Sequence, residues 1–253
     1  MRRCIFCQGT GKSREHVSSE WTHGIVPAEV GAFCKTKGQG EVLLATNQIR
    51  YQHTSRQDMP IDLAHLQVHG TCARCNNGWM SEIESVVKPV MTEMLEDNER
   101  AISVSEQIDI ANWITLKAIV AECLDREHAV VSESERHWFY ENKRPFRSSQ
   151  VHIARYSGQG PGRHFTARAY AATGGNLTKT LYMGKFTLIK LGNILMTHGY
   201  VVPPMENRVI IPKSISHRLD QLYPQQRSAI DWPPPYSLDD EQVIDFVTKV
   251  RGP

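Results

Sequence analysis

Residues 72–83 read CARCNNGWMSEI, and residues 4–7 read CIFC. Each stretch contains a Cys-x-x-Cys pair, and 64 residues separate the two pairs. A Cys-x-x-Cys turn directs two sulfurs toward one metal ion, so two such turns complete a closed tetrahedral site of the structural zinc type. The sequence therefore predicts a structural Zn²⁺ held by Cys4, Cys7, Cys72 and Cys75. Four unrelated reduced cysteines, or a redox pair, are the alternatives for this pattern.

The composition is typical of a soluble globular protein. The chain has 253 residues, of which 40% are hydrophobic and 22% charged, and this length accommodates one large domain or two modest ones. No apolar run approaches the roughly 20 residues that span a bilayer. The basic start, Met1-Arg2-Arg3, has no apolar stretch behind it, so it does not resemble a secretory signal. We therefore expect a cytoplasmic protein without a membrane segment, in a compartment where thiols stay reduced.

Periodicity along the chain predicts an α+β fold. Apolar residues at helical spacing predict a helix from about Ser81, in which Pro89 should cause a kink or a break. They predict a second helix over 105–124, and the capping-box sequence at 132–135 predicts the start of a third. Alternating stretches at 151–156, 164–172, 181–191 and 194–198 predict a C-terminal antiparallel sheet, and a short amphipathic helix is expected near 239–250.

The first 80 residues are expected to be rich in loops and short strands. Segments 42–45 and 49–51 are predicted to form a hairpin around the turn at 46–48. We divide the chain into residues 1–100, which contain both cysteine pairs, and residues 101–253, which contain a helical segment and a basic antiparallel β domain.

Two further features lie beside the cysteine pairs. Glu15 and His16 are adjacent between the pairs, and Asn76 directly follows the last cysteine at the start of the predicted helix. The combination Cys-x-x-Cys, Glu-His and Cys-x-x-Cys-Asn-x-Gly-Trp-Met resembles the HNH endonuclease family over residues 4–84. The resemblance implies an N-terminal ββα-metal nuclease module stapled by the Cys4 zinc site.

The resemblance also implies roles for individual residues. His16 would be the general base that deprotonates a water molecule. Histidine suits this task because its ordinary pKa of about 6.5 lets it accept a proton near neutral pH. Glu15 and Asn76 would bind a catalytic divalent ion, and their oxygen ligands suit Mg²⁺ or Mn²⁺ better than zinc.

The third member of the catalytic set is left open by the sequence. The family's middle Asn lies nine residues before the position that matches Asn76, and this chain has Gln67 there. A histidine that some members carry one helical turn after that position is replaced by Met80. Three histidines of the insertion could substitute for the missing group: His53, His65 and His69.

Charge is distributed unevenly although the net charge is only +2. Residues 143–227 contain 13 Lys and Arg against 2 Asp and Glu, whereas residues 81–142 contain 5 against 14. A basic block of this kind is typical of surfaces that bind polyanions, and Lys143, Arg144, Arg147, Lys185 and Lys190 are candidates for such a surface. The alternative is that these charges pair with the acidic helices.

The resemblance to the HNH family implies an enzyme, a metal-dependent endonuclease that hydrolyses DNA phosphodiester bonds, with a role in restriction or antiviral defence by analogy. DNA is the expected partner, and a homo-oligomer or an activating partner protein is compatible with the sequence. Two alternatives stay open: a non-catalytic zinc-ribbon module that binds nucleic acid or protein, and an RNA-directed nuclease.

Overall fold

The computed structural model describes residues 3–11, 13–26, 32–43, 48–60, 66–124, 129–159, 164–172, 180–201, 216–224, 226 and 228–251. In 32–43, 48–60, 164–172, 180–183, 201 and 247–251 this description is of the backbone alone. Short and long strands come first along the described chain, most of the helices follow, and a run of strands and one last helix complete it. None of the described helices is long and apolar enough to cross a membrane.

A small antiparallel ladder brings the two cysteine pairs together. Strand β1 (Glu15–His16) pairs with β4 (Gln67–Val68), with Glu15 opposite Val68 and His16 opposite Gln67. Main-chain hydrogen bonds extend this pairing on both sides, from Ser13 N to Thr71 O at 2.9 Å and from Val17 N to Leu66 O at 2.9 Å. A short 3₁₀ helix, Glu20–Gly24, follows β1.

Between these two strands lies a long hairpin, β2 (Ala32–Leu43) and β3 (Gln48–Pro60), paired in antiparallel register from Ala32–Pro60 to Leu43–Gln48. The sequence predicted only short strand pieces here, and the predicted turn at 46–48 falls largely outside the described residues. Polar residues and glycines interrupt the apolar alternation of both segments, so pairing of the main chains, rather than a patterned face, defines these strands.

Five helices follow in the described chain. The first, α1 (Ala73–Cys75), continues through a π-helical turn at Asn76–Met80 into α2 (Ser81–Leu95). Then come α3 (Val104–Ala121), α4 (Glu133–Asn142) and, at the C-terminal end, α5 (Asp240–Arg251). Helix α2 runs through Pro89 without a break. Of the kink or break expected at Pro89, the break is therefore wrong, because the apolar side of the helix remains packed on both sides of the proline: Val87, Val90, Met91 and Met94 are buried.

Capping boxes fix the starts of α3 and α4. The Ser132 hydroxyl accepts a hydrogen bond from Glu135 N at 3.2 Å, and the Glu135 carboxylate accepts one from Ser132 N at 2.8 Å. Ser103 and Glu106 form the same reciprocal pair at the start of α3. The helix start predicted at 132–135 is therefore confirmed, for the reason that the motif satisfies two otherwise unpaired N–H groups.

The C-terminal half is built on one sheet, which in the described chain has six strands. The strands are β6 (Ser149–Tyr156), β7 (His164–Ala172), β8 (Thr180–Leu191), β9 (Ile194–Val201), β10 (Asp220–Tyr223) and β12 (Ser237–Leu238). Their order is β10-β6-β9-β8-β7, all antiparallel, and β12 pairs with β6 in parallel. A separate pair joins β5 (Arg100–Ile102) to β11 (Ile230–Trp232). The predicted strands of the antiparallel sheet are confirmed with small changes of boundary.

Buried side chains cover both faces of this sheet. On one face Ile153, Ile194 and Met196 pack with residues of α2 and α3, including Met91 and Ile114. The opposite face packs against α5 through a second cluster, which includes Phe186, Leu195, Val243 and Phe246. A third cluster unites the cysteine pairs with α3 and α4: Phe6, Trp79, Leu116, Val120 and Phe139 belong to it. The α+β class with central helices is confirmed, and the division at residue 100 stays a prediction.

Candidate functional site

The four predicted zinc ligands converge in one cluster. The sulfurs of Cys4, Cys7, Cys72 and Cys75 all lie within 4.8 Å of one another, and the Cys7 and Cys72 sulfurs are 3.6 Å apart. A tetrahedral zinc ion with Zn–S bonds of about 2.3 Å separates its sulfurs by about 3.8 Å. The donor set and its spacing therefore fit a closed Zn²⁺ site, as the sequence predicted.

The surrounding main chain supports this arrangement. Gly9 N donates to Cys7 Sγ at 3.4 Å, and Cys4 N donates to Gly9 O at 3.0 Å, which closes the first turn. A Cβ added to Gly9 would lie 3.2 Å from Cys7 Sγ, so a side chain there would crowd the sulfur. Burial raises the pKa of the Cys75 thiol, so a thiolate at this position needs a neighbouring cation.

Aromatic packing joins the first cysteine pair to the helix that follows the second. Phe6 is fully buried, and its ring meets that of Trp79 edge-on, with centroids 4.9 Å apart. Phe139 of α4 lies 6.0 Å from the Trp79 ring, between centroids. The Trp79 side chain is buried in this packing.

His16 and Gln67 contact each other across the β1–β4 ladder. Their Nε2 atoms are 2.7 Å apart, and the two residues are direct partners in the strand register. Among the four candidates for the third member of the catalytic set, Gln67 is therefore placed against the His16 ring. His65 and the side chain of His53 lie outside the described residues, and His69 is exposed.

Asn76 lies at the start of the π-helical turn. Its side-chain Nδ2 donates to Arg14 O at 3.1 Å, so the residue after the second cysteine pair is bonded to the residue that directly precedes Glu15 and His16. Within the described ranges, no second group of three or more His, Cys, Asp or Glu side chains is close enough to share a metal ion.

Glu15 has a partner that the sequence did not suggest. The carboxylate is buried, and its Oε1 accepts a hydrogen bond from Lys117 Nζ of α3 at 2.7 Å. The same ammonium donates to His16 O at 3.1 Å and lies 2.6 Å from Glu84 Oε1 of α2. Two carboxylates and one main-chain carbonyl therefore surround one buried lysine.

Two further side chains hold Glu84. Ser19 Oγ donates to Glu84 Oε1 at 2.5 Å, and Trp113 Nε1 donates to Ser19 Oγ at 3.0 Å. We refer to Lys117, Glu15, Glu84, Ser19 and Trp113 as the Lys117 cluster. Burial alone would lower the pKa of Lys117, but the charges of Glu15 and Glu84 outweigh it and raise the pKa above its ordinary value. The lysine therefore stays protonated at neutral pH.

Sequence reasoning missed Lys117, Glu84 and His23. Lys117 lies within the otherwise uncharged stretch 112–121, on the helix face that carries Trp113 and Leu116, and this lone charge on an apolar face was the available signal. The His23 ring lies edge-on to the His16 ring, with centroids 5.3 Å apart. Its position seven residues after His16 gives no comparable signal.

Among the side chains that the structure describes, the basic block does not form one continuous surface. Lys185 and Lys190 are buried, so their predicted place on an exposed face is wrong. Lys185 Nζ donates to Ala118 O at 2.6 Å and lies 3.4 Å from Glu122 Oε1, while Arg155 forms an ion pair with Asp97. The alternative, pairing with the acidic helices, is thus confirmed for Lys185 and Arg155, because charges that enter the fold need partners.

The start of the block is more accessible. Arg144 and Arg147 are exposed in the segment after α4. Lys143 Nζ lies over the rings of Trp79 and Tyr140, at 4.6 and 4.4 Å from their centroids. This contact links the segment to the helical turn that follows the second cysteine pair.

Comparison with known proteins adds no assignment to this geometry: no family model matches the chain, and no curated protein or solved structure matches it at a significant level.

Proposed function

We propose that the chain is a metal-dependent endonuclease of the HNH type that hydrolyses DNA phosphodiester bonds. The observation that carries the proposal is the contact of His16 with Gln67 on the ladder that joins the two cysteine pairs. Asn76, from the start of the following helix, is bonded to the main chain of Arg14, directly before β1. Gln67, 51 positions from His16 along the chain, thus contacts its ring, and Asn76, 60 positions away, is bonded two residues before it, which supports a shared site.

His16 is assigned the role of general base. For this role one ring nitrogen must be an unprotonated acceptor, so the other must carry the proton. If the Gln67 amide presents its Oε1 to His16 Nε2–H, the ring is held in place and Nδ1 is left to accept a proton from water. Exchange of the amide oxygen and nitrogen leaves the heavy-atom positions nearly unchanged, so the 2.7 Å contact fits this orientation.

Glu15 and Asn76 would hold a Mg²⁺ or Mn²⁺ ion. Glu15 uses Oε1 for Lys117, which leaves Oε2 as a hard oxygen ligand. Asn76 uses Nδ2 for Arg14 O, which leaves its amide oxygen as the second. When bound, the ion stabilises negative charge on the phosphate and on the leaving oxygen. His16 takes the proton of the attacking water, and the resemblance implies 5′-phosphate and 3′-hydroxyl products.

The zinc cluster would serve as a staple and take no part in the chemistry, because four thiolates leave no open coordination position. Restriction or defence against foreign DNA is the role that we propose for such an activity.

The proposal is tested by incubating the full chain with supercoiled plasmid, single-stranded DNA and RNA. Each substrate is combined with Mg²⁺, Mn²⁺ or EDTA. We expect divalent-ion-dependent nicking of DNA, and product ends that a phosphatase and a ligase identify. Cleavage of RNA alone would change the substrate class and keep the chemistry. If no substrate is cleaved while zinc is retained, the proposed enzymatic activity is rejected and a non-catalytic zinc-binding module is favoured. The ion pair of Glu15 with Lys117 is compatible with that alternative as well.

Gln67→Leu is expected to lower kcat by roughly 10- to 100-fold, the usual effect of losing a partner that orients a functional histidine. Gln67→Glu keeps an oxygen acceptor at the same place and should retain more activity than Gln67→Leu. Single-turnover cleavage at saturating Mn²⁺ measures both. Wild-type rates in both variants would show that Gln67 does not orient the base.

Arg144→Glu combined with Arg147→Glu is expected to weaken DNA binding and to make its salt dependence shallower. Each lost phosphate contact reduces the slope of log affinity against log salt by about 0.9. Fluorescence anisotropy at several salt concentrations measures this. The control is Arg155→Gln, whose charge is already paired with Asp97, and which should bind DNA as the wild type does. Unchanged affinity in the double variant would place DNA on another surface.

A further inference from the structure

We propose that Lys117 is a positioning residue of the proposed active site. Its ammonium fixes the carboxylate of Glu15 and the main chain of His16, while Glu84 supplies the second negative charge that lets the cluster attract a divalent cation. This inference rests on the proposed function and deepens it.

The contacts of Lys117 reach both neighbours of the proposed chemistry. Lys117 Nζ donates to Glu15 Oε1 at 2.7 Å and to His16 O at 3.1 Å. These are consecutive residues on a strand of only two residues, so a single group from α3 sets the position of the proposed metal ligand and of the proposed base. The third N–H is used by Glu84, at 2.6 Å.

The charges of the cluster do not cancel. A Glu15–Lys117 pair alone would be neutral, and a neutral pair attracts Mg²⁺ or Mn²⁺ weakly. With Glu84 the cluster carries a net charge of −1. The chain of donors from Trp113 to Ser19 and from Ser19 to Glu84 keeps this second carboxylate against the ammonium.

Stability alone does not account for this arrangement. Lys117 lies between the fully buried Leu116 and Ala118, where an apolar residue would fit the core, and replacement of buried ion pairs by apolar residues is often neutral or stabilising. A second buried lysine, Lys185 of β8, donates to Ala118 O near the end of α3 and lies 3.4 Å from Glu122 Oε1, just beyond that helix. It provides a control for the burial of a lysine against α3.

Three variants of the full chain test the inference: Glu84→Gln, Lys117→Met and the control Lys185→Met. For each we measure Mn²⁺ binding by electron paramagnetic resonance, kcat for plasmid cleavage as a function of Mn²⁺, and zinc content. Rates are expressed per folded molecule, with the folded fraction taken from thermal unfolding.

The two site variants should change different quantities: Glu84→Gln the Mn²⁺ dependence, and Lys117→Met the value of kcat at saturation. Glu84→Gln keeps the hydrogen-bond acceptor and removes the charge, so the half-saturating Mn²⁺ concentration should rise by about fivefold or more while kcat at saturation stays near wild type. Lys117→Met removes the fixed contact and leaves the carboxylates, so kcat at saturation should fall about tenfold or more while Mn²⁺ binds no more weakly. Lys185→Met should change neither quantity, even if it lowers the melting temperature.

A loss of folding would lower the active fraction and leave both quantities unchanged. If Lys117→Met does not fold, the Mn²⁺ dependence of Glu84→Gln decides: an unchanged midpoint overturns the inference. Wild-type kcat in folded Lys117→Met, or the same changes in Lys185→Met, overturns it as well and leaves the proposed nuclease function standing. Failure of the wild type itself to bind Mn²⁺ would remove the proposed function together with the inference.

Discussion

His16→Ala is expected to reduce divalent-ion-dependent DNA cleavage by about 10²- to 10⁴-fold, the usual contribution of a general base. The His16 side chain is only partly buried, and its ring is hydrogen-bonded to Gln67. The variant should therefore fold and keep its zinc. Relaxation of supercoiled plasmid at saturating Mn²⁺ measures the loss. Added imidazole should restore part of the rate, because it can replace the missing base in the space that the side chain leaves.

His137→Ala is the matched control for this experiment. His137 lies on α4, where its Nδ1 is 3.0 Å from Phe6 O and its Nε2 is 3.3 Å from a Glu141 oxygen. The same substitution there removes a histidine close to the zinc module and away from the β1–β4 ladder. It should leave cleavage near the wild-type rate. Equal cleavage by wild type and His16→Ala would rule out a nuclease site at His16.

Cys72→Ala is expected to abolish zinc binding and to unfold the N-terminal module. One of four thiolates is lost, and structural zinc contributes on the order of 10 kcal/mol to folding in small modules. Cys72 belongs to the buried cluster that contains Phe6, Trp79 and Leu116, so the loss should spread to the packing of α3. Metal analysis should give one zinc per chain for wild type and none for the variant, with a large fall in the melting temperature.

Cys123→Ala provides the comparison, because Cys123 is half-buried and is not a member of the four-cysteine cluster. It should retain zinc and most of its stability. Two results would contradict a structural zinc site: no zinc in wild-type protein purified without chelators, or a Cys72→Ala variant that melts at the wild-type temperature.

Local patterns in the sequence were sufficient for several parts of the structure. The capping box at Ser132 and Glu135 depends on side chains three residues apart, and the helix starts where the motif lies. Alternation over 151–156 and 164–172 depends on residues two apart and gave two strands of the sheet to within two residues. The sequence predicted strands that are too short for the hairpin β2–β3, because the pairing there depends on the two main chains and not on an alternating apolar face.

The sequence by itself determined the four cysteines that cluster, the α+β class and the candidates Glu15, His16, Gln67 and Asn76, because the spacing of metal-binding residues and periodicity are properties of short stretches of chain. Only the tertiary structure decided which of these candidates meet and which charges are buried. Lys117 is 102 residues from Glu15, and Lys185 is 63 residues from Glu122. A lysine has the same formal charge wherever it lies in the sequence. The free-energy cost of burying that charge, and its effect on neighbouring groups, depend on the partners that folding brings to it. Packing of α2 and α3 against β1 therefore decided the surroundings of Glu15, which no spacing along the chain specifies.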